Sequence, residues 1–160
     1  IKECMIGCDL VYPMTDIRNS TDHVGDPALE GKIITSVTGR DFEKEPLLKI
    51  GERVFNLQRA ILLREGRRPE KDDLLPEEWH TKPLESHVAD PECLAPDKKG
   101  NAISRKGAII DMDGYKKMRK EYYILRGWDK NSGLQTREKL NELGLGDITA
   151  SLDENGFISG

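Results

Sequence analysis

The residues of this chain whose type and spacing could do chemistry are Cys4 and Cys8, a Cys-x-x-x-Cys pair near its start. Thiolates bind iron and zinc, but two of them are too few for a closed zinc or iron–sulfur site. The third cysteine, Cys93, lies far along the chain in a proline-rich connection. Taken alone, this spacing favours two ordinary buried cysteines. Three cysteines without a repeating framework also argue against a disulfide-stapled secreted domain, so we expect a reducing, cytoplasmic location.

The other candidate groups are three histidines and an acidic cluster. His23, His80 and His87 have no partner at metal-ligand spacing, and we expect each to be exposed or hydrogen-bonded. Five carboxylates could mimic a catalytic pair, namely Glu70, Asp72, Asp73, Glu77 and Glu78. Because they lie in a proline-rich surface segment, solvation or helix capping is the favoured interpretation. The sequence therefore identifies no catalytic residue.

Composition excludes two classes of partner. Of the 160 residues, 36% are hydrophobic and 34% are charged, which favours a helical body with extended polar connections. The net charge is -4 and basic residues are interspersed with acidic ones, so we predict no nucleic-acid-binding surface. No apolar run approaches the roughly 20 residues that cross a bilayer. The first residues also lack the organisation of a signal peptide, and we predict no membrane partner.

The clearest predicted element is a long helix over residues 45–65. It must help to position the candidate residues that precede it in the sequence. Apolar residues recur three and four positions apart and predict one buried stripe, formed by Leu47, Ile50, Val54, Leu57 and Ile61. Thr38 or Asp41 could cap its start, and Gly66 ends it. A shorter helix over residues 27–37 is expected to come before it.

Further elements are expected to be short. Five prolines between residues 67 and 111 forbid a long regular element, leaving one helical turn at 76–79 and a turn at 98–101. A second amphipathic helix opens at Asp111 and ends at Gly127, with a predicted stripe of Met112, Tyr115, Met118, Tyr122 and Leu125. A third runs from 136 to 143, and a polar tail over residues 147–160 is expected to fray. The predicted fold class is mostly α, irregular and multihelical, with long loops and few or no short strands.

Four motifs in fixed order resemble a known family. They are SVTGRDF at 36–42 with IGERVFNLQR at 50–59, GRRP at 66–69 with DLLP at 73–76, YYILRGW at 122–128, and LNELGL at 140–145. Together they are similar to the C-terminal part of the aldehyde ferredoxin oxidoreductase family, whose members carry a tungstopterin and an iron–sulfur cluster. The resemblance covers residues 1–146 and implies that this chain is a piece of an enzyme.

The resemblance also implies site residues. The family closes its [4Fe-4S] cluster with three clustered cysteines early in the chain and a fourth that ends a downstream Asp-x-x-Gly-Leu-Cys segment, which also touches the pterin. The resemblance implies the fourth-ligand role for Cys8, with Cys4 as the alternative. It also implies pterin contacts for Glu3 and Gly7. This chain departs from the pattern, with Glu3 for Asp, Ile6 for Gly and Gly7 for Leu. Those departures bear on the pterin contact and leave the cysteine role intact.

The function implied by the resemblance is oxidation of an aldehyde to a carboxylic acid at a tungsten-bis-pterin centre, with ferredoxin as electron acceptor. The expected partners are the N-terminal pterin-binding region of the same enzyme and ferredoxin. The isolated chain is expected to be inactive and to hold no cofactor. The segment ISRKGA at 103–108 resembles an insertion of a subgroup that includes the tungsten subunit of benzoyl-coenzyme A reductase. Two alternatives stay open, a helical interaction domain of a multisubunit redox complex and a stand-alone regulatory helical module.

Overall fold

The computed structural model describes Asp26, residues 28–42 and residues 44–160. Its helices are α1 (Leu29–Thr38), α2 (Lys44–Arg64), α3 (Pro69–Asp72), α4 (Glu78–Thr81), α5 (Met112–Leu125), α6 (Arg137–Glu142) and α7 (Gly146–Glu154). Its strands are β1 (Leu94–Pro96), β2 (Ala102–Ser104), β3 (Gln135–Thr136) and β4 (Ile158–Ser159). The strands pair as β1–β2 and β3–β4 in two small sheets. The predicted class, mostly α with few short strands, is confirmed.

The chain divides into two compact units. The first takes the described residues up to 66 together with residues 135–158, and the second takes residues 67–134. The first unit is therefore discontinuous in sequence, because α2 packs with elements from the end of the chain. No helix in the part of the chain described here is long and apolar enough to cross a membrane.

The core of the first unit forms where α2 meets α6 and α7. Its buried residues are Ala60, Leu140, Leu143, Leu145 and Leu152, with Ile148, Phe157 and Ile158 packed against them. Local chemistry sets the ends of α6, since the Thr136 hydroxyl accepts a hydrogen bond from the Lys139 amide. Gly144 follows at φ 65°, a conformation that favours glycine. The third predicted helix is thus confirmed.

Helix α2 confirms the prediction of one continuous helix but corrects its buried face. Leu47 is buried, yet Ile50, Leu57 and Ile61 of the predicted stripe are each 38–41% exposed. The residues that face the core instead are Leu63 and two polar or small residues, Asn56 and Ala60. Asn56 and Ala60 each come one position before a residue of the predicted stripe. The periodicity was correct because both stripes share it, but periodicity alone does not say which of two stripes another element covers.

Helix α1 and the segment after it form a corner. Gly31 lies so close to the carbonyl oxygen of Phe42 that a Cβ atom there would clash. The Thr35 hydroxyl accepts a hydrogen bond from the Phe42 amide at 3.0 Å, which holds the returning segment against α1. Thr38, one of the two caps predicted for α2, is instead the last residue of α1, and the cap predicted at Asp41 stays a prediction. Its hydroxyl donates to the Ile34 carbonyl and accepts from the Arg40 amide.

The second unit contains the proline-rich connection. Pro69 is the first residue of α3 and is buried, a use of proline at a helix start that the sequence reading missed. The helical turn predicted at 76–79 is present as α4, a residue or two further on. Strands β1 and β2 pair antiparallel, with Ala95 opposite Ile103. The turn predicted at 98–101 therefore connects the two strands of a short hairpin.

Helix α5 begins as predicted but turns a different face inward. The Asp111 side chain caps it by accepting a hydrogen bond from the Gly114 amide. Met118 and Leu125 of the predicted stripe are 59% and 82% exposed, whereas Tyr123 is 3% exposed. The inward face is shifted from the predicted stripe, because Tyr115, Arg119 and Tyr123 all donate hydrogen bonds to Asp73 in the segment after α3.

The tail does not fray as expected. Residues 146–154 form α7, and Leu152 is 3% exposed within the first unit's core. Arg137 forms an ion pair with Asp153 at 2.7 Å, which ties α7 to α6. The sequence signal for this helix was weak, because Ile148 and Leu152, four positions apart, are a short apolar pattern. A helix this short depends on packing for its stability.

A pair of leucine substitutions tests the corrected assignment in the first unit. Leu140→Ala should lower the free energy of unfolding by about 2–5 kcal/mol, because Leu140 is fully buried and truncation leaves a cavity. Leu57→Ala should cost only about 1 kcal/mol, since that side chain is already 38% exposed. Urea denaturation of the two variants measures both values. Equal losses would show that the predicted stripe of α2 is buried after all.

Candidate functional site

The residues that the sequence assigns to the cofactors lie at the start of the chain. Glu3, Cys4, Gly7 and Cys8, together with His23, are outside the described residues. Within residues 26–160 the structure describes no group of three or more His, Cys, Asp or Glu side chains arranged to hold a metal ion.

Cys93, the cysteine that the sequence set aside, is buried and free. Its backbone has φ 53°, the left-handed region that a non-glycine residue seldom adopts. Its sulfur lies 4.0 Å from the carbonyl oxygen of Pro91. These contacts fit a cysteine that packs inside the turn leading into β1.

The acidic cluster contains one carboxylate, that of Asp73, that is bonded to residues on two other segments of the second unit. One carboxylate oxygen accepts two hydrogen bonds from the Arg67 guanidinium, at 3.0 and 2.8 Å. The other accepts one from the Tyr123 hydroxyl at 2.7 Å. The backbone carbonyl of the same residue accepts from the Tyr115 hydroxyl at 2.8 Å and from Arg119 at 3.3 Å. The carboxylate therefore serves as an anchor for α5.

Aromatic packing completes this arrangement, which we call the Asp73 network. The Tyr123 and Trp128 rings lie 6.0 Å apart, and the Arg119 guanidinium stands 5.9 Å from the centre of the Tyr123 ring. Gly133 has φ 69°, and a Cβ atom there would meet the Tyr123 ring at 2.6 Å. Both the backbone conformation and the close approach therefore require glycine at this position.

Two more acids of the cluster behave as predicted. The Asp72 carboxylate accepts a hydrogen bond from the Arg68 amide at the start of α3. Glu78 pairs with Lys82 one turn later, at 2.8 Å, with both side chains well exposed. Capping and surface ion pairing therefore account for these two acids, and Asp73 has a positioning role.

The two histidines of the second unit are hydrogen-bonded, as expected. His80 Nδ1 lies 2.7 Å from the carbonyl oxygen of Ile110, so this nitrogen carries the proton because a carbonyl can only accept. The ring also lies 5.8 Å from that of Tyr115. His87 Nδ1 accepts a hydrogen bond from the Ala89 amide. Both histidines order the connection around α4 and the hairpin.

A buried amide pair in the first unit was missed by the sequence analysis. Gln135 and Asn56 are both fully buried. The Gln135 amide nitrogen donates to the backbone oxygen of Asn56 at 2.9 Å and to its side-chain oxygen at 2.7 Å. Asn56 in turn donates to the Glu52 carbonyl. The available signal was an asparagine among apolar residues in α2, but nothing in the sequence named a partner 79 residues away.

A charged bridge lies one turn away from the amide pair. The Lys139 ammonium group is 2.8 Å from Glu142 and 3.3 Å from Glu52. The hydrogen bond to Glu142, followed by that to Glu52, raises the pKa of Lys139 above its ordinary value. Lys139 therefore stays charged at every physiological pH and ties α6 to α2.

Comparison with known proteins finds one family and several relatives. The model of the family described as aldehyde ferredoxin oxidoreductase, domains 2 & 3, matches residues 1–145. The tungsten-containing aldehyde ferredoxin oxidoreductases of Thermococcus kodakarensis and Pyrococcus furiosus are each 35% identical to this chain over 116 residues. Those matches cover 72% of this chain but 16% of each relative, so the chain spans only about a sixth of their length.

A solved structure is similar in fold. It is the active site complex BamBC of benzoyl coenzyme A reductase in complex with 1,5 dienoyl-CoA. The likeness has a TM-score of 0.56 at 22% sequence identity, and it covers 84% of this chain and 16% of that chain. It supports the fold described above over most of the residues.

A pair of tyrosine substitutions tests the Asp73 network. Tyr123→Phe should cost about 1–2 kcal/mol of the second unit's stability, because it removes the hydroxyl that donates to a nearly buried carboxylate. Tyr122→Phe is the matched control, since Tyr122 belongs to the same ring cluster but its hydroxyl has no hydrogen-bond partner among the described residues. It should cost about 0.5 kcal/mol or less. Thermal denaturation of the two variants would contradict the network if their losses were equal.

Proposed function

Because this chain belongs to the aldehyde ferredoxin oxidoreductase family, in the region of its domains 2 and 3, we propose that it is the C-terminal part of a tungsten-containing oxidoreductase. The observation that carries the proposal is the family match over residues 1–145. The curated relatives are about six times longer than the matched segment, so the complete activity belongs to a longer polypeptide. The family region would end near residue 146, with residues 147–160 as an addition.

The proposed reaction follows from the relatives' names. An aldehyde and water give a carboxylic acid, two protons and two electrons, and two molecules of ferredoxin each accept one electron. A tungsten-bis-pterin supplies the two-electron chemistry and a [4Fe-4S] cluster the one-electron path, as general properties of such groups. This chain's contribution is to position both groups from one short segment, in a reducing cytoplasm.

The residues we propose for that contribution are Cys8 as the fourth cluster ligand, and Glu3 and Gly7 as pterin contacts. A thiolate is the donor that iron–sulfur clusters require, whereas the buried Cys93 lies in the connection leading to β1. Backbone groups at Gly7 can approach a bound group closely because no side chain intervenes. The described residues contain no alternative group of three or more His, Cys, Asp or Glu ligands.

The partner for this chain is, in our proposal, the N-terminal pterin-binding region of the same enzyme. Its support is the amount of apolar surface left uncovered on the long helices. Ile50 and Ile61 of α2 are 41% and 39% exposed, and Ile124 and Leu125 of α5 are 58% and 82% exposed. Helices that are apolar on most sides normally lie inside a larger protein. The absent five-sixths of the relatives' length could supply the covering surface.

One observation favours a second candidate function. The fold likeness to the benzoyl coenzyme A reductase complex favours, as the second candidate, a tungsten subunit that reduces an aromatic thioester instead of oxidising an aldehyde. A third candidate is a helical interaction domain of a multisubunit redox complex that contributes no ligand. Assay of the full-length protein with crotonaldehyde and with benzoyl-coenzyme A separates the first two. The cysteine substitutions described below separate the third.

The isolated chain should oxidise no aldehyde and bind no tungsten. The reason is that, in our proposal, three cluster cysteines and most of the pterin-binding surface belong to the N-terminal region of the enzyme. The measurement is benzyl viologen reduction with crotonaldehyde by the purified chain of 160 residues, with tungsten content from elemental analysis. Viologen reduction together with bound tungsten would overturn the proposal that the chain depends on the longer polypeptide.

In the full-length protein, Cys8→Ser should remove the cluster. A serine oxygen is a poorer ligand than a thiolate for iron in such a cluster, so the reduced cluster's electron paramagnetic resonance signal and its share of iron should both be lost. Aldehyde oxidation should fall with them, because electrons could no longer leave the tungsten centre.

Two matched substitutions control for general damage. Cys4→Ser changes the neighbouring cysteine, and Cys93→Ser changes a buried one in the second unit. Both should keep the signal and the iron. Loss of both in Cys4→Ser, with none in Cys8→Ser, would move the ligand to Cys4. An unchanged spectrum in all three variants would favour the interaction domain that contributes no ligand.

A further inference from the structure

The hairpin formed by β1 and β2 has a turn that is fixed by its own hydrogen bonds. The Asp97 carboxylate accepts from the Lys99 amide at 2.7 Å, the Asn101 amide at 2.9 Å and the Asn101 side chain at 3.1 Å. The Asn101 side chain, followed by these amides, holds the pKa of Asp97 below its usual range. The turn is therefore ordered without an ion pair to either of the lysines it contains.

The base of the hairpin is held as firmly. The Ser104 hydroxyl donates to the Glu92 carbonyl at 2.7 Å, and the Arg105 amide donates to the Cys93 carbonyl at 2.8 Å. The Gly107 amide then donates to the Leu84 carbonyl at 2.8 Å. These bonds fix where the hairpin points relative to the rest of the second unit, so the surface it presents is preorganised.

That surface is basic, although the chain is acidic. Residues 94–107, which we call the basic hairpin, contain four Lys or Arg residues against one Asp, a net charge of +3 in a chain of net charge -4. Lys106 pairs with Glu92 at 2.9 Å. Lys98, Lys99 and Arg105 form no ion pair with any residue in the described ranges. Three positive charges are therefore free to meet an external partner.

Apolar side chains lie beside these charges. Every residue from 98 to 110 is exposed. The larger apolar side chains in and beside the basic hairpin include Leu94 and Ile109, each 55% exposed, and Ile103 at 37%. A surface that is basic, partly apolar and already ordered has the composition of a protein-docking site with a charged rim.

We propose that the basic hairpin docks an acidic, ferredoxin-type iron–sulfur carrier protein, which takes electrons from the enzyme. The inference rests on the proposed function, which requires a protein that accepts one electron at a time. Charge complementarity selects the partner, because a carrier with an acidic face would be attracted to the three free cations. Opposite charges on two proteins raise their association rate and orient their encounter. Rapid binding and release suit a carrier that must leave after each electron.

The test reverses the charge at the tip of the hairpin in the full-length enzyme. Lys98→Glu/Lys99→Glu should lower kcat/KM for a purified acidic 4Fe–4S ferredoxin about tenfold at low ionic strength, and added salt should shrink the difference. The same variant should reduce methyl viologen, a small cationic dye that needs no docking surface, at the unchanged rate. Both assays use the same aldehyde and the same enzyme preparation.

A matched control makes an equal charge change elsewhere in the second unit. Lys117→Glu/Lys120→Glu reverses two exposed lysines on α5, outside the hairpin. It should leave both kcat/KM values within about twofold of the parent, because charges outside the docking surface act only through long-range steering, which salt screens. An equal loss in the control would show that net charge is responsible and would overturn the docking site.

The remaining outcomes also decide the question. If the hairpin variant loses viologen and ferredoxin activity equally, the hairpin packs against the rest of the enzyme and the docking proposal fails. If ferredoxin kinetics are unchanged, the carrier binds elsewhere and the proposal fails again. If the parent enzyme fails to reduce viologen with every aldehyde that is tested, the proposed function itself has failed. That result is distinct, because it appears before any hairpin substitution is made.

Discussion

The second unit depends on one carboxylate that is almost buried. The Asp73 side chain is 13% exposed, so its charge would be costly without partners. Arg67 satisfies one oxygen and Tyr123 the other, across 6 and 50 residues of sequence respectively. Because the backbone carbonyl of Asp73 also accepts from Tyr115 and Arg119, a single residue fixes the rotation of α5 about its axis. A turn of α5 by one position would break all of these contacts together.

This constraint explains why apolar side chains face outward in both long helices. Once α5 turns Tyr115 and Tyr123 inward, the helical period places Met118 and Leu125 on other faces. In the first unit, the buried pair of Asn56 and Gln135 has the same effect on α2, leaving its apolar stripe half-exposed. Buried polar contacts are satisfied only in one arrangement, so they set the register that hydrophobic burial alone would leave loose. The exposed apolar stripes are what the rest of a larger protein could cover.

Local features of this fold could be predicted from the sequence, but long-range ones could not. Asp111 and Thr136 cap their helices through bonds to residues three positions away. Gly127 follows the helix it was expected to end, and Gly144 follows α6 with a positive φ. The buried faces depend on partners 40 to 80 residues away, which periodicity does not reveal. The candidate cofactor residues came from resemblance to a family, because two cysteines four positions apart carry too little information by themselves. Glu3, Gly7 and Cys8 therefore remain predictions.

The order of the basic hairpin is not explained by burial within the second unit. Ordering residues 94–107 costs conformational entropy at each position, and burial is what normally offsets that cost. Here Cys93, at the base, is buried, whereas every residue from 98 to 107 is exposed. Hydrogen bonds within the turn supply local order, yet each contributes only about 1 kcal/mol net in water. A segment that is kept ordered, basic and uncovered gains most when another protein binds it, which is the physical reason to look for the electron acceptor there.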